Sequence, residues 1–377
     1  WVFFAGKTTA GFIASSFLFA PFFGFIIFIS FFVFSLIIIT FGILTQGFIN
    51  FPSGYLYDGG LYFWSSQGHD GLWHVSVMEE IKKAFPPQNP GFSNEVVYNY
   101  HYLVDVLMGE YGRVFPFFTS LDLYFRFFPI ILSFFMGIGI FAFVSRWQEN
   151  IKIGYLAVFF TYCVGSFGYI VSVLRGGNFF AGEAMFWATQ QHGLIGNPTQ
   201  AISHGILVSF LLSFLIYLKS RDKFWFFITF LCGAILVGFK VSGGFVMLVG
   251  LCGAALSEFL TKRRWQLIFL TFILGVSNFL TFKLMTKDAA SLLIFLPWWF
   301  IRTMIVDRLG LIEWEHRRQH YLSVGRFTSY LRVAQLELTA LLIFVVGNLG
   351  MRVLGFMELF NMTLRQRMKP FKDPITL

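Results

Sequence analysis

Apolar residues run along this chain in long blocks separated by short polar breaks, with little of the alternation expected of half-buried strands. About 17–25 apolar residues in a helix cross the hydrocarbon core of a bilayer. Blocks of that length predict spans over 2–20, 23–45, 121–145, 153–173, 199–218, 224–239, 243–260, 265–284 and 333–350, with Pro21 separating the first two. The fold class this implies is all-α: a polytopic transmembrane helical bundle of about 9–10 spans. A large extracytoplasmic loop would carry amphipathic helices. Five regions follow: N-terminal transmembrane helices over 1–45, the loop over 46–120, a bundle over 121–284, an interfacial basic segment over 285–332, and a last helix with a basic tail over 333–377.

Segment 285–332 admits two placements. Residues 289–306 could form a tenth span, with Arg308, His316, Arg317, Arg318 and Arg326 in the cytoplasm. Alternatively Trp298 and Trp299 lie at the interface and the basic cluster stays outside. Pro297 and Arg302 make 289–306 a poor crossing, which favours the second.

Composition agrees with the pattern. Of 377 residues 56% are hydrophobic and 12% charged, and 54 are phenylalanine. A soluble domain carries about 25% charged residues and needs them to cover its surface, so a soluble fold, a disordered chain and a disulfide scaffold are excluded. The net charge of +9 is read as cytoplasmic loops facing anionic lipid, with no nucleic-acid partner. Breaks containing Arg146 and Lys152, then Lys219, Arg221 and Lys223, then Lys262, Arg263 and Arg264 alternate with breaks poor in lysine and arginine. The positive-inside rule puts these three in the cytoplasm, and 46–120 and 174–198 on the other side. Cys163, Cys232 and Cys252 all sit inside apolar blocks and offer no metal motif. The chain opens at Trp1 and stops after a basic stretch, which reads as a fragment.

Most aqueous chemistry is concentrated in 46–120. The run "NFPSGYLYDGGLYFWSSQGHDG" reads as loop backbone, and "DGLWHVSVMEEIKKAF" as an amphipathic helix with Asp70 as N-cap. At 100° per residue Asp70, His74, Val77 and Ile81 share a face, with Glu79, Glu80, Lys82 and Lys83 opposite. An acid on an apolar face carries a desolvation cost unless it has a partner or a task. Asp70 is therefore either a cap bonded to His74 or a catalytic carboxylate. In "YNYHYLVDVLMGEYG" His101 and Asp105 stand at a spacing that would share a helix face. Asp70, His74, His101 and Asp105, with His69 beside them, are a candidate divalent-metal set; hydrogen-bonded structural pairs are the other reading. No HExxH, GxxxxGK, GxSxG or GxGxxG motif occurs.

The second outer break offers Glu183, Gln190, Gln191, His192 and Asn197 among aromatic residues and glycines. Amides and aromatic faces suit a sugar, and equally an ordinary re-entrant loop. Lys240 in "VGFKVSGG" lies where the positive-inside rule predicts few cations, as do Arg302 and Arg308 on the preferred placement. Such cations suit a phosphate at the headgroup level, and a snorkelling lysine is the alternative.

A large first outer loop that presents an acid on an amphipathic helix resembles the GT-C superfamily of membrane glycosyltransferases. "GHDGLWH", "PPQNPGF", "YNYHYLVD", "DLYFRFFP", "NPTQAIS" and "GNLG" look more narrowly like a group of uncharacterised bacterial multi-pass proteins placed near it. The resemblance implies sugar transfer from a polyprenyl-phosphate or pyrophosphate donor to a glycan, lipid or protein acceptor, outside the bacterial cytoplasmic membrane. It assigns Asp70 as the base. Many relatives carry adjacent acids here, whereas His69 precedes Asp70 and Gly71 follows it, so His69 or His74 would tune the site. The competing classes are a transporter or flippase of lipid-linked glycans and a non-catalytic assembly subunit.

Overall fold

The computed structural model describes residues 50–63, 65–179, 181–186, 197–287 and 298–355, with shorter pieces between 33 and 48 and Leu296. In chain order its helices are α1 (Leu36–Thr45), α2 (Asp70–Lys83), α3 (Leu103–Val114), α4 (Ser120–Trp147), α5 (Ile151–Cys163), α6 (Gly168–Leu174), α7 (Pro198–Ser220), α8 (Lys223–Phe239), α9 (Val241–Lys262), α10 (Gln266–Met285), α11 (Trp299–Thr303), α12 (Ile312–Val324) and α13 (Phe327–Gly355). A hairpin of β1 (Tyr55–Tyr57) and β2 (Gly60–Tyr62) interrupts what the sequence reads as loop. Its turn is Asp58-Gly59, and Gly59 sits at φ +102, a conformation that glycine alone adopts without strain.

Among the described residues α4, α7, α9, α10 and α13 are long and apolar enough to cross a membrane. The chain is an all-α polytopic helical protein. Expected span 2–20 lies outside the described residues, and of 23–45 the helix α1 is described. Span 153–173 is two helices, α5 and α6, bent by 41°. Arg352 of α13 donates to the Phe160 and Val164 carbonyls, covering acceptors that the end of α5 leaves open. Span 224–239 is the shorter helix α8, which breaks at Ile235. Buried Asn278 of α10 repairs this break. Its Nδ2 donates to the Gly233 carbonyl at 2.9 Å, and its Oδ1 accepts from the Val237 N–H at 3.3 Å. Within lipid such freed backbone groups need a protein partner.

Contacts sort the breaks into two ends. At one, Lys219 pairs with Glu149 at 2.7 Å, and Arg221 reaches Glu258 at 2.5 Å and Gln266 at 3.1 Å. The three basic breaks thus meet. At the other end Asn99, at φ +59, takes the Met285 carbonyl with its N–H at 2.8 Å, and its side chain accepts from the Lys287 N–H at 3.0 Å. This clamps the long loop to the end of α10. Arg175, after α6, donates to the Arg308 and Leu309 carbonyls, and Phe186 packs with Met304, Ile305 and Leu309. The basic segment therefore shares an end with the 174–186 break. Tenth-span residues 288–295 lie outside the described residues, and α11 has five residues.

The large exposed side chains of the bundle, among them Phe245, Phe272, Leu284 and Leu342, cover the outer faces of the long helices. Only 17–44% of the most apolar window in each long helix is buried. That surface would be unstable in water and is at home in hydrocarbon. Where the loop helices meet the bundle, Val75, Met78, Val104 and Met108 pack with Leu123, Tyr124, Phe125 and Phe128 of α4, Ile202 and Phe239. A π turn over Leu123–Phe127 turns Tyr124 and Phe125 into this core.

Candidate functional site

Helix α2 begins at Asp70, with His69 in the cap position and no side-chain cap bond, so Asp70 is not the N-cap. A carboxylate in the first turn still meets the positive end of the helix dipole. Asp70 is half-exposed, and His69 Nδ1 contacts its Oδ1 at 2.8 Å.

His74, one turn on, does not bond to Asp70. It is buried, and its Nδ1 contacts Oδ1 of fully buried Asp105 at 2.8 Å. Its ring stacks on Tyr124 at 5.5 Å, and its Nε2 meets the Tyr100 hydroxyl at 3.0 Å. The shared helix face expected for His101 and Asp105 is also absent, because α3 starts at Leu103 and His101 precedes it. Burial raises the Asp105 carboxyl above the usual carboxylate range, and the His74 contact opposes it. The Tyr100 phenol is raised by burial and by the charges of Asp105 and Asp70, while its hydrogen bond with Trp73 acts the other way. A buried Asp–His–Tyr chain thus runs from the core to the base of the cleft.

Above it lie the groups with access to the outside. His101 stacks on Tyr100 at 4.9 Å and lines a small cleft with Asn99, Val241 and Thr286. Burial, then the nearby Lys240 ammonium and His74, push His101 down to about 4. At neutral pH it is an uncharged donor and acceptor. Lys240 occupies the junction of α8 and α9, whose tight packing follows from glycines: a Cβ on Gly238 would lie 2.2 Å from Leu103, and one on Gly243 2.2 Å from Ser203. Burial lowers Lys240, and the charge of Asp70 opposes that shift. The Lys240 ammonium is therefore within electrostatic reach of both Asp70 and His101, although the three come from separate segments.

The remaining predicted residues are elsewhere. Asn197 caps α7, accepting from the Gln200 N–H at 3.2 Å and from the Thr199 hydroxyl. Glu183 lies in a 3₁₀ turn over Glu183–Phe186, and Gln190, Gln191 and His192 lie outside the described residues. Arg302 reaches Glu337 at 3.4 Å, and Glu337 also faces Arg318 at 3.7 Å. Arg308 offers its carbonyl to Arg175. Among the described residues no three His, Cys, Asp or Glu side chains gather to hold a metal. The proposed set is divided, since His74 and Asp105 bind each other in the core. Tyr100, Tyr124 and Asn99 are absent from the sequence-derived site. The "YNYHY" string flags the neighbourhood, but many aromatic residues in this chain face lipid. No family model, curated protein or solved structure matches the chain.

Proposed function

We propose that this chain is an integral membrane glycosyltransferase that moves a sugar from a polyprenyl-phosphate donor to an acceptor on the extracytoplasmic side of a bacterial cytoplasmic membrane. The observation that supports this most is the cleft that His101 lines with Val241, the residue after Lys240, where the charge of Asp70 is also felt. These residues lie at the end of the bundle away from the three basic breaks.

In this reading the acceptor hydroxyl gives its proton to the Asp70 carboxylate as its oxygen bonds to the anomeric carbon. The bond from that carbon to the donor phosphate breaks, and its electron pair leaves on the phosphate. Lys240 stabilises the charge that develops there. His69 orients Asp70, and uncharged His101 hydrogen-bonds to donor or acceptor oxygen. The His74–Asp105 pair fixes Tyr100 and so the floor of the cleft.

The test is Asp70→Asn in membranes supplied with a defined polyprenyl-phosphate sugar. Loss of a general base lowers transfer on the order of 10²–10⁴-fold. Transfer at the wild-type rate in this variant would sink the assignment.

One observation favours transport as a second reading. Thr161, His204 and Arg352 line a cavity of about 270 Å³ among α4, α5, α7 and α13, and a conduction path needs polar groups inside the bundle. A flippase would move a fluorescent polyprenyl-phosphate analogue across the bilayer as fast in the Asp70→Asn variant as in the wild type.

A further inference from the structure

The β1–β2 hairpin has an open cleft of about 600 Å³, lined by Pro52, Tyr57, Asp58, Tyr62 and Phe63 and not by Asp70, His101 or Lys240. This volume falls in the range of small-ligand clefts, about 300–1,000 Å³. Strand register divides the hairpin into two faces. Leu56 pairs with Leu61 on one, while Tyr55, Tyr57 and Tyr62 share the other. The Tyr57 and Tyr62 rings meet edge to face at 5.4 Å and 87°, and each residue is more than half exposed.

The platform is fixed at its Tyr55 end. Arg126 lies over the Tyr55 ring at 3.9 Å, donates to the Ser53 carbonyl at 2.9 Å and pairs with Asp122 at 3.0 Å. The Gly54 N–H bonds to the Tyr62 carbonyl at 2.8 Å. Arg126 is itself buried and paired with Asp122, so the charge among the lining residues is the Asp58 carboxylate.

We infer that this cleft binds a neutral saccharide chain. Aromatic faces take the C–H face of a pyranose, and phenol hydroxyls and a carboxylate take its ring hydroxyls. A phosphate or an anionic headgroup meets like charge at Asp58. Sinking the hairpin tip into hydrocarbon would strip that carboxylate of water at high cost. Prior attachment of the hairpin to α4 removes much of the ordering cost of binding. None of this requires the transfer chemistry proposed above.

The experiment uses the full chain in nanodiscs, with cellohexaose, maltohexaose, chitohexaose and mannohexaose as probes and saturation-transfer NMR as the readout. At least one probe binds the wild type. Tyr57→Ala and Tyr62→Ala weaken it about tenfold or more. Asp58→Asn weakens it less, while Leu56→Ser on the opposite face leaves it unchanged. Asp70→Asn also binds as the wild type, which keeps this test separate from that of transfer. No binding by any probe would overturn the inference, as would wild-type binding by both tyrosine variants. So would a spin label at Asp58→Cys that reports lipid rather than water.

Discussion

Two histidine–aspartate pairs in this protein have the same 2.8 Å contact and opposite surroundings. In His69–Asp70 the side chains are 94% and 50% exposed, and in His74–Asp105 they are 1% and 0% exposed. Water screens the first, so it adds little to stability and leaves the carboxylate open to solvent. The second has replaced its water with a partner, and separating it would leave a polar group stranded in the core. The contact distance alone does not distinguish a carboxylate open to solvent from one sealed in the core, and burial does.

The comparison breaks most easily at the buried pair. Asp105→Ala leaves His74 without its Nδ1 partner, and truncation of one member of such a pair costs about 3–5 kcal/mol. Thermal unfolding in detergent would show it as a large drop in midpoint. The double variant His74→Phe/Asp105→Leu, which removes both polar groups, recovers much of that loss. If Asp105→Ala unfolds at the wild-type temperature, the pair is not the brace described here.

A smaller effect should appear at His101, and its sign is opposite to that of a salt-bridged histidine. Its folded value of about 4 lies below the ordinary 6.5, so between those limits the unfolded chain binds more protons. The stabilising contribution is complete above pH 6.5 and is lost as pH falls towards 4. It amounts to roughly 3 kcal/mol. His101→Gln should flatten this part of the stability profile, and NMR titration should find the wild-type ring uncharged at pH 6. A ring that titrates near 6.5 would show that Lys240 and burial do not act on it as described.

The least stability change is expected at the exposed pair. His69→Ala should unfold at the wild-type temperature within error and reduce the proposed sugar transfer only a few-fold, on the order expected for a lost orienting contact. A large fall in stability there would erase the distinction between the pairs.

Much of this arrangement could be read along the chain, and its failures have a common cause. Helical spacing placed His74 on the inward face of α2, where the structure buries it. The same spacing offered Asp70 as its partner, because an isolated helix presents only its own neighbours. Docking of α3 supplied Asp105 instead. The break in α8 went unseen because its residues are as apolar as the rest. The clue was a single amide, Asn278, in another helix. Lys240 was found because a cation where few are expected is conspicuous in the sequence itself.

What the sequence determined by itself was the solvent and the sorting of its breaks. Apolar runs long enough for hydrocarbon, and the uneven placement of lysine and arginine, are local properties that survive without knowledge of neighbours. Tertiary structure alone decided which polar groups face each other, which of two similar acid–histidine pairs is dry, and that a stretch of loop becomes a tyrosine-faced hairpin over Arg126. These depend on contacts between residues far apart in the chain, and burial is set by everything that packs around a group.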